Sequence, residues 1–386
     1  MTLTALDLFS GAGGFSLGLK QAGVSVAGSV EADRFAASTY KRNFSSSVVA
    51  NRSVEECSDR WLRSHFSDVD IVAGGPPCQG FSVAGPLQYG RLDARNALVL
   101  EMARVVKCVR PRFAVLENVR GILSGKLSGA RMALDAYLAS LQEARYFSTV
   151  VRLQAADFGV PQLRERVFVI SSRDEDALKA FEPLIQRRKL SRLASSVCFG
   201  DLPTLNPGEG TDEVVPYPRA AQNKYQLLMR RSSSGVANHV AMKHTPRMLA
   251  RLAVIGHGDS MKDVSSEHGQ RKRNSGLIDA GQRYKMNCTR INPKRPSISV
   301  PANFQTIHVH PHQHRMLTAR EGARLQGFPD SFVFTGPRTL MSRKLLEREG
   351  RTDEIGLSQY NQIGNAVPPP LARAIGETLL ELCDEF

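Results

Sequence analysis

The chain lacks the features that mark secreted and membrane-embedded proteins. Its cysteines form no CxxC pair, which argues against a zinc ribbon and gives no disulfide framework. No apolar run is long enough to cross a bilayer, and Asp7 interrupts an already short apolar start. Neither a membrane span nor a signal peptide is therefore expected. We predict reduced thiols and a cytoplasmic location. The six cysteines are Cys57, Cys78, Cys108, Cys198, Cys288 and Cys383.

Acidic residues are scarcer than basic ones, and the imbalance is local. The 386 residues include 51 Lys and Arg but 37 Asp and Glu, for a formal net charge of +14. Residues 221–300 hold 15 of the basic residues and four of the acidic ones, so +11 of that charge lies in one stretch. An excess of this size attracts polyanions, which favours a nucleic-acid-binding face over an ordinary solvated surface.

Apolar runs alternate with amphipathic segments through the first 172 residues, which predicts an α/β fold with a parallel sheet. After Ser172 the pattern gives way to segments rich in Pro, Gly, Ser and charge, which are typical of a smaller, irregular domain. The predicted strands are Leu3–Phe9, Val24–Val30, Val69–Ala73, Arg112–Leu116, Phe147–Leu153 and Arg166–Ser171. The predicted helices are Phe15–Ala22, Arg34–Asn43, Asn96–Lys107, Ala130–Leu141, Thr318–Leu325 and Pro368–Leu382.

A cysteine follows the third predicted strand on a stiff loop. Gly74-Gly75-Pro76-Pro77 ends the strand abruptly, and the prolines fix two φ angles just before Cys78. A lone cysteine often only fills a turn. A thiol held at the carboxyl end of a strand, where open α/β sheets place their ligands, instead suggests a nucleophile.

A glycine-rich turn lies between the first strand and the first helix. In Asp7–Gly14 the glycines would let the backbone approach a ligand closely, with a helix N-terminus behind them. Glu31 ends the second strand, where an acidic residue can take ribose hydroxyls. The spacing differs from G-x-G-x-x-G, which favours an adenosine ligand without a pyrophosphate. A purely structural turn is the alternative.

Two further motifs place charged groups near the same edge. Glu117 follows the fourth strand, so the parallel arrangement predicts that it faces one pocket with Cys78, where a carboxylic acid can assist a thiol. In Gln162-Leu163-Arg164-Glu165-Arg166, strand alternation predicts that the first, third and fifth residues share a side. Arginines there could hold phosphates or a carbonyl oxygen and lower the pKa of the thiol. A helix cap and a surface ion-pair strip are the respective alternatives.

Four histidines alternate with other residues near position 310. A metal site is one interpretation of such a run. We do not favour it, because no cysteine or carboxylate lies nearby in sequence and Pro311 interrupts the strand that would align the ring nitrogens. The histidines are His308, His310, His312 and His314.

Together and in this order, the motifs resemble those of the DNA (cytosine-5)-methyltransferase family, of the bacterial restriction–modification type. The resemblance covers nearly the whole chain. It rests on Asp7–Gly14, Gly75–Gln79, Glu117–Val119, Gln162–Arg166, Arg315–Asp330 and Gly364–Pro369.

The resemblance implies a Rossmann-like S-adenosylmethionine-dependent methyltransferase sheet with a smaller, irregular target-recognition domain. The catalytic domain would comprise residues 1–172 and about 355–386, and the recognition domain about 173–354. Cys78 would add to C6 of a flipped-out cytosine, Glu117 would bind N3 and the exocyclic amine, and Arg166 would hold O2. Arg164 would support the loop.

The implied cofactor is S-adenosylmethionine, which leaves as S-adenosylhomocysteine, and no metal is implied. The family often carries an acidic residue after its own third strand to read the adenine amine; the corresponding stretch here is Ala50–Val54, and Ser53 takes that place. The implied cofactor residues are Phe9, Ser10, Gly11, Gly13, Gly14, Glu31, Ser53, Val54, Pro76, Leu98, Asn365 and Val367.

The implied partner is double-stranded DNA, and the basic stretch falls within the predicted recognition domain. A cognate restriction endonuclease, a monomeric state and association with the nucleoid are further expectations. A tRNA cytosine-5 methyltransferase and a non-catalytic DNA-binding regulator are the alternatives, although a regulator would be expected to have lost a catalytic residue. The predicted DNA contacts are Gln79, Ser82, Arg271, Lys272, Arg273, Arg283 and Lys285.

Overall fold

The computed structural model describes residues 2–77, 94–123, 128–269, 286–339 and 343–385. The chain forms two compact units. The first unit comprises Met1–Gly159, Glu165–Ser191 and Ala366–Phe386, and the second comprises Val160–Arg164 and Arg192–Asn365. The main boundaries, after Ser191 and Asn365, lie later than the 172 and 355 proposed from the sequence, and Val160–Arg164 also belongs to the second unit.

Regular elements are longest in the first unit. The strands are β1 (Thr4–Leu8), β2 (Ser25–Val30), β3 (Val48–Ala50), β4 (Ile71–Gly74), β5 (Phe113–Asn118), β6 (Phe147–Gln154), β7 (Gln162–Leu163), β8 (Glu165–Ser172), β9 (Gly210–Thr211), β10 (His239–Val240), β11 (Thr289–Arg290), β12 (Ser297–Ile298) and β13 (His308–Val309). The helices are α1 (Gly14–Ala22), α2 (Arg34–Asn43), α3 (Asp59–Phe66), α4 (Ala94–Val109), α5 (Ser128–Glu143), α6 (Glu175–Arg187), α7 (Lys224–Met229), α8 (Pro246–Val254), α9 (Phe304–Ile307), α10 (Ala319–Gln326), α11 (Arg343–Arg348), α12 (Gln359–Asn365) and α13 (Pro369–Glu385). Among the residues described, no helix is both long and apolar enough to span a membrane.

A seven-stranded sheet in the order β3-β2-β1-β4-β5-β8-β6 organises the first unit. The first five strands are parallel, but β8 pairs antiparallel with both β5 and β6. The predicted parallel sheet is therefore found in β1–β5, and β8 departs from it. The segment between β6 and β8 holds a short helical turn and the two-residue β7 and no crossover helix, and a parallel connection usually needs one.

Apolar residues of the strands and of α4 and α5 form the core of the first unit. Elsewhere in the first unit, the backbones of α1 and α13 approach each other closely at Gly18. A Cβ added at Gly18 would lie 2.4 Å from the Ala372 side chain and from the Pro369 carbonyl oxygen. The final helix is thus held directly against the helix that follows the glycine turn.

Two helices of the first unit, α3 and α6, were not predicted. In α3 only Leu62 and Phe66 are buried, which gives a weak apolar pattern. In α6 five apolar residues at helical spacing are buried and Asp174 caps the N-terminus, but Pro183 lies inside the helix and breaks the sequence signal. The apolar spacing together with the Asp174 cap could have revealed α6.

The second unit has short elements and an unusual set of buried side chains. Arg164, Arg315, Arg320 and Arg324 are among the largest fully buried side chains of the chain, and all four belong to this unit. The predicted helix Thr318–Leu325 is found as α10, and a capping box begins it: the Thr318 side chain accepts from the Glu321 N–H and the Glu321 carboxylate accepts from the Thr318 N–H.

Candidate active site

The glycine turn after β1 has the backbone geometry that its sequence predicts. Phe9, Gly11 and Gly13 all have left-handed φ angles, of 53°, 54° and 97°. A Cβ at Gly13 would lie 2.6 Å from the Phe44 ring and 2.9 Å from the Tyr40 ring, so a side chain is excluded there. Glycine is therefore required at Gly13 both by the left-handed φ angle and by the Tyr40 and Phe44 rings packed against it.

A buried carboxyl group anchors this turn to α1. Asp7 Oδ2 accepts from the Ser16 hydroxyl at 2.6 Å and from the Ser16 N–H at 3.2 Å, and the Tyr40 hydroxyl lies 2.7 Å from Ser16 Oγ. Burial raises the pKa of Asp7 to about 7, and Ser16 opposes that rise. The sequence places Asp7 in the turn motif but gives no sign of this network, because Tyr40 lies far along the chain.

Glu31 closes the same turn from the end of β2. Its Oε2 accepts from the Gly11 N–H at 2.8 Å, and its Oε1 accepts from the Asp33 N–H at 2.7 Å. Burial raises the pKa of this carboxyl above its usual value, against the two backbone donors. Each oxygen keeps a second lone pair that could accept a ribose hydroxyl.

Two observations fit an adenosine-type ligand at the turn. The Ser10 hydroxyl is buried and has no hydrogen-bond partner among the described residues. A Cβ added at Gly11 would meet nothing within 4 Å, so open space adjoins the backbone there. A buried polar atom without a partner beside open space suits a ligand that supplies that partner.

Ser53 and Val54 start a one-turn 3₁₀ helix after β3. The Ser53 hydroxyl donates to Glu55 at 3.0 Å and caps this turn. From α4, Arg104 donates to the Val54 carbonyl at 3.2 Å and to the Cys57 carbonyl at 3.0 Å, and ion pairs with Glu101 and Asp59 hold its guanidinium. Sequence reasoning missed Arg104, since nothing in the α4 pattern distinguishes an inward-bonding arginine from a solvated one.

Glu117 and Arg166 form an ion pair at the carboxyl end of β5. Arg166 Nε lies 3.0 Å from Glu117 Oε1, and the two side chains are only 16% and 13% exposed. Glu117 Oε2 would lie 3.1 Å from a Cβ added at Gly75, which follows the neighbouring strand β4. The carboxylate thus lies close to the backbone of Gly75, three residues before Cys78.

Gln162 and Arg164 have different surroundings from Arg166. They belong to the second unit, where Arg164 donates to the Val300 and Gly364 carbonyls, each at 2.9 Å, and Gln162 donates to Leu325 and Gln326. Burial alternates along the motif, with Gln162, Arg164 and Arg166 less exposed than the two residues between them, although β7 pairs with β12 whereas β8 pairs with β5 and β6. Arg164 therefore holds backbone within its unit.

The structure describes the remaining predicted residues unevenly. Pro76 follows β4, Leu98 is half-buried on α4, Asn365 ends α12 and is exposed, and Val367 is buried before α13. Cys78 and its neighbours Gln79 and Ser82 lie outside the described residues, as do five predicted DNA contacts. Those contacts are Arg271, Lys272, Arg273, Arg283 and Lys285.

Two members of the histidine run, His308 and His310, are buried in the second unit, whereas His312 and His314 are exposed. Burial lowers the pKa of His308 to about 4 and that of His310 to about 3, so both rings are neutral. His310 Nδ1 accepts from the His312 and Gln313 N–H groups. Within the described parts of the chain, no three His, Cys, Asp or Glu side chains gather as a metal site.

A sequence profile decides the family. The profile of C-5 cytosine-specific DNA methylases matches residues 3–381. The chain belongs to this family. Membership makes it a DNA cytosine-5-methyltransferase and implies S-adenosylmethionine as the methyl donor.

Curated relatives agree with this assignment. The methyltransferase is 41% identical over 379 residues to the type II methyltransferase M.DdeI of Desulfomicrobium norvegicum, covering 98% of this chain and 88% of that protein. It is 34% identical over 387 residues to the type II methyltransferase M1.HphI of Haemophilus parahaemolyticus, covering 99% and 88%.

Solved structures share the fold. A DNA modification methyltransferase encoded within an Escherichia coli prophage superposes with a TM-score of 0.74 at 24% identity, covering 99% of this chain and 100% of that one. A variant of Spodoptera frugiperda DNMT2 superposes with a TM-score of 0.53 at 17% identity, covering 99% of both chains. The methyltransferase thus shares its fold with both of these structures.

Proposed function

We propose that the enzyme methylates C5 of a cytosine flipped out of duplex DNA, with Cys78 as the covalent nucleophile. The observation that carries the proposal is the Glu117–Arg166 ion pair at 3.0 Å, on the strand edge beside Gly75. A carboxyl group and a guanidinium that are held together and mostly shielded from water can bind one cytosine ring, the carboxyl donating to N3 and accepting from the exocyclic amine, and the guanidinium donating to O2.

Each proposed residue has a definite part in the reaction. The Cys78 thiolate adds to C6, which breaks the C5–C6 double bond and makes C5 nucleophilic. Glu117 hydrogen-bonds N3 and the exocyclic amine, and Arg166 holds O2, so the charge that develops on the ring is stabilised. S-adenosylmethionine supplies the methyl group that C5 acquires. Loss of the C5 proton to a base then expels Cys78 and restores the double bond.

The glycine turn would hold the cofactor. Phe9, Ser10, Gly11, Gly13 and Gly14 would line it, with Glu31 at the ribose. Ser53 and Val54 would face the adenine. Pro76, Leu98, Asn365 and Val367 would complete the pocket. Support comes from the Ser10 hydroxyl without a partner and from the open space beside Gly11.

The second unit would recognise the target sequence, since most of the basic stretch 221–300 belongs to it. Arg271, Lys272, Arg273, Arg283 and Lys285 would contact DNA there, and Gln79 and Ser82 would contact the strand beside the flipped base. Arg164 would position the second unit's backbone rather than touch the cytosine. By analogy with the type II relatives, a cognate restriction endonuclease is the expected partner.

The test is nucleoside mass spectrometry of DNA from a host without its own cytosine methylation. The wild-type chain should produce 5-methylcytosine, and Cys78→Ala should produce none because the proposed C6 adduct needs its thiolate. Cys108→Ala is the matched control, since Cys108 is half-buried on α4 and should be dispensable. Retained methylation in Cys78→Ala would overturn the covalent mechanism. Methylated tRNA with unmodified DNA would move the substrate to RNA.

A further inference from the structure

The second unit contains a cavity that the methyl-transfer mechanism does not use. Its volume is about 270 Å³, and described residues of α8, α9 and the segment before β11 contribute to its lining. This is close to the lower end of the roughly 300–1,000 Å³ of typical ligand sites. A single planar ring system would fit, whereas a drug-sized or dinucleotide ligand would not.

The cavity has an apolar floor and a polar rim. Met261, Cys288 and Met316 are at most 6% exposed and form the floor. The rim carries Arg251 and Gln305, both half-buried. Methionine side chains pack adaptably against flat rings, so this arrangement suits a ring that enters with one polar edge outward.

The rim also carries hydrogen-bonding capacity that the described residues leave unused. Gln305 Oε1 is buried and has no hydrogen-bond partner among them. The Asn287 side chain also lines the cavity. Such groups are costly unless something pairs with them, which indicates that a ligand with matching donors completes the site.

Arg251 adds a positive charge without a carboxylate partner among the described residues. It donates to the His268 carbonyl at 2.6 Å and to the Gly269 carbonyl at 2.9 Å, and Nη1 approaches Met248 Sδ at 3.8 Å. None of the described lining residues is acidic. The rim therefore offers donors from Arg251 and an acceptor from Gln305, a combination that favours a ring with acceptors on one edge and donors on another.

The backbone beneath the cavity is strained. Cys288 has a φ of 54°, a conformation that costs a non-glycine residue free energy and persists where the surroundings enforce it. Its N–H donates to the Thr306 carbonyl at 3.2 Å, and the Asn287 carbonyl accepts from Met261 at 3.0 Å. These bonds fix the floor and the rim relative to one another.

The geometry points to a pocket for a guanine base that leaves the stack of the bound DNA. Guanine presents O6 and N7 acceptors for Arg251, and N1–H and 2-amino donors for Gln305 Oε1. The exposed cations Lys243, Arg247 and Lys262 lie near the lining residues in sequence and could hold the flanking phosphates. This inference rests on the proposed function, because flipping a cytosine leaves its partner guanine unpaired.

The test uses the full chain with S-adenosylhomocysteine and a duplex that carries its methylation site. Each guanine of the site, the one opposite the target cytosine included, is replaced in turn by 6-methylisoxanthopterin, a guanine analogue that stacking quenches. We expect the emission of one analogue to rise about threefold on binding, because an extruded base loses its stacking neighbours. Gln305→Leu should return that emission to the level of the free duplex.

A double-mutant cycle, in which the base and the side chain are changed separately and together, tests the contact between the guanine 2-amino group and Gln305. Hypoxanthine in place of that guanine removes the 2-amino group and should weaken binding to the wild-type chain about tenfold. The same replacement should have little effect on Gln305→Leu. Gln186→Leu is the matched control, since Gln186 is half-buried on α6 in the first unit. It should behave as the wild type in both measurements.

Two results would overturn the inference: no guanine analogue brightens, or Gln305→Leu leaves the brightening intact. Trapping of Cys78 on a duplex with 5-fluorocytosine at the target separates this failure from that of the proposed function. A covalent complex without brightening removes only the guanine pocket. Absence of the covalent complex removes the proposed mechanism.

Discussion

The two units are stabilised by different kinds of interior. In the first unit the largest fully buried side chains are aromatic, namely Tyr40, Tyr137, Phe66, Phe168 and Phe181. In the second unit the list includes four arginines. The sheet of the first unit satisfies its own backbone groups, whereas the short elements of the second leave carbonyls that the arginines must satisfy.

Arg320 shows how this works in the second unit. It donates to the carbonyls of Ala237, Pro329 and Phe332, at 2.9, 3.1 and 2.7 Å. One guanidinium thus joins segments that no ladder connects. A region with little regular structure can still be specific when buried charge fixes its loops, at the cost of dehydrating that charge.

The strongest test of this contrast removes one buried arginine. Arg324 bonds Asp330 at 2.9 and 2.6 Å and Asp201 at 2.5 Å, and all three side chains are fully buried. Arg324→Met would leave two buried carboxylates without their main partner. We expect a loss of about 3–5 kcal/mol in the free energy of unfolding, measured by urea titration.

The matched control is an arginine of the first unit. Arg373 pairs with Glu377 at 2.7 Å on the exposed surface of α13. Arg373→Met should cost less than about 1 kcal/mol, as exposed pairs do. Equal losses in the two variants would contradict the view that buried charge holds the second unit together.

The first unit also buries an ionisable group, the Asp7 carboxyl. The pKa of this carboxyl is raised from 3.8 to about 7 in the folded chain. The folded chain therefore keeps a proton that the unfolded chain releases between these pH values, so its stability falls as the pH rises through that window. Above about pH 7 the folded chain carries an ionised carboxylate in its core, and the loss is complete.

Asp7→Asn should remove this dependence. The amide oxygen can still accept from Ser16, but the side chain cannot ionise. Relative to the wild type, the variant should gain at least about 1.4 kcal/mol of unfolding free energy between pH 4.5 and pH 8, the worth of one pKa unit. Urea titrations at the two pH values give the difference. A constant difference between the two proteins would show that Asp7 does not titrate in this range.

The sequence predicts the first unit better than the second, because the two units are stabilised in different ways. In the first unit the apolar periods located six strands of the sheet, the glycine turn and Glu117 at its edge, because these features are local. The reversed direction of β8 was missed, since apolar alternation carries no direction.

The second unit was harder because its stabilising contacts are remote in sequence. Arg164 bonds carbonyls 136 and 200 residues away, and Gln162 bonds a carbonyl 163 residues away. No periodic pattern encodes such pairs, and an arginine in sequence is more often exposed than buried. What was predicted there and found is the helix Thr318–Leu325, a local feature that a capping box begins.

The smallest expected effect concerns cofactor binding, and it tests whether the first unit also uses an arginine to hold a loop of its proposed cofactor site. Arg104 on α4 donates to the Val54 and Cys57 carbonyls and so connects α4 to the turn that carries Ser53 and Val54. If these two residues face the adenine, Arg104→Met should loosen the turn and weaken S-adenosylhomocysteine binding about tenfold, or about 1.4 kcal/mol. Calorimetry measures that change, and Arg63→Met on α3 is the control because its guanidinium contacts the Cys108 sulfur instead. Because Arg104 is itself 30% exposed, its loss should change the unfolding free energy less than Arg324→Met does. Unchanged affinity in Arg104→Met would mean that the turn holds its shape through the Ser53 cap alone. Fixing of loops by arginine would then be a property of the second unit and not of this turn in the first.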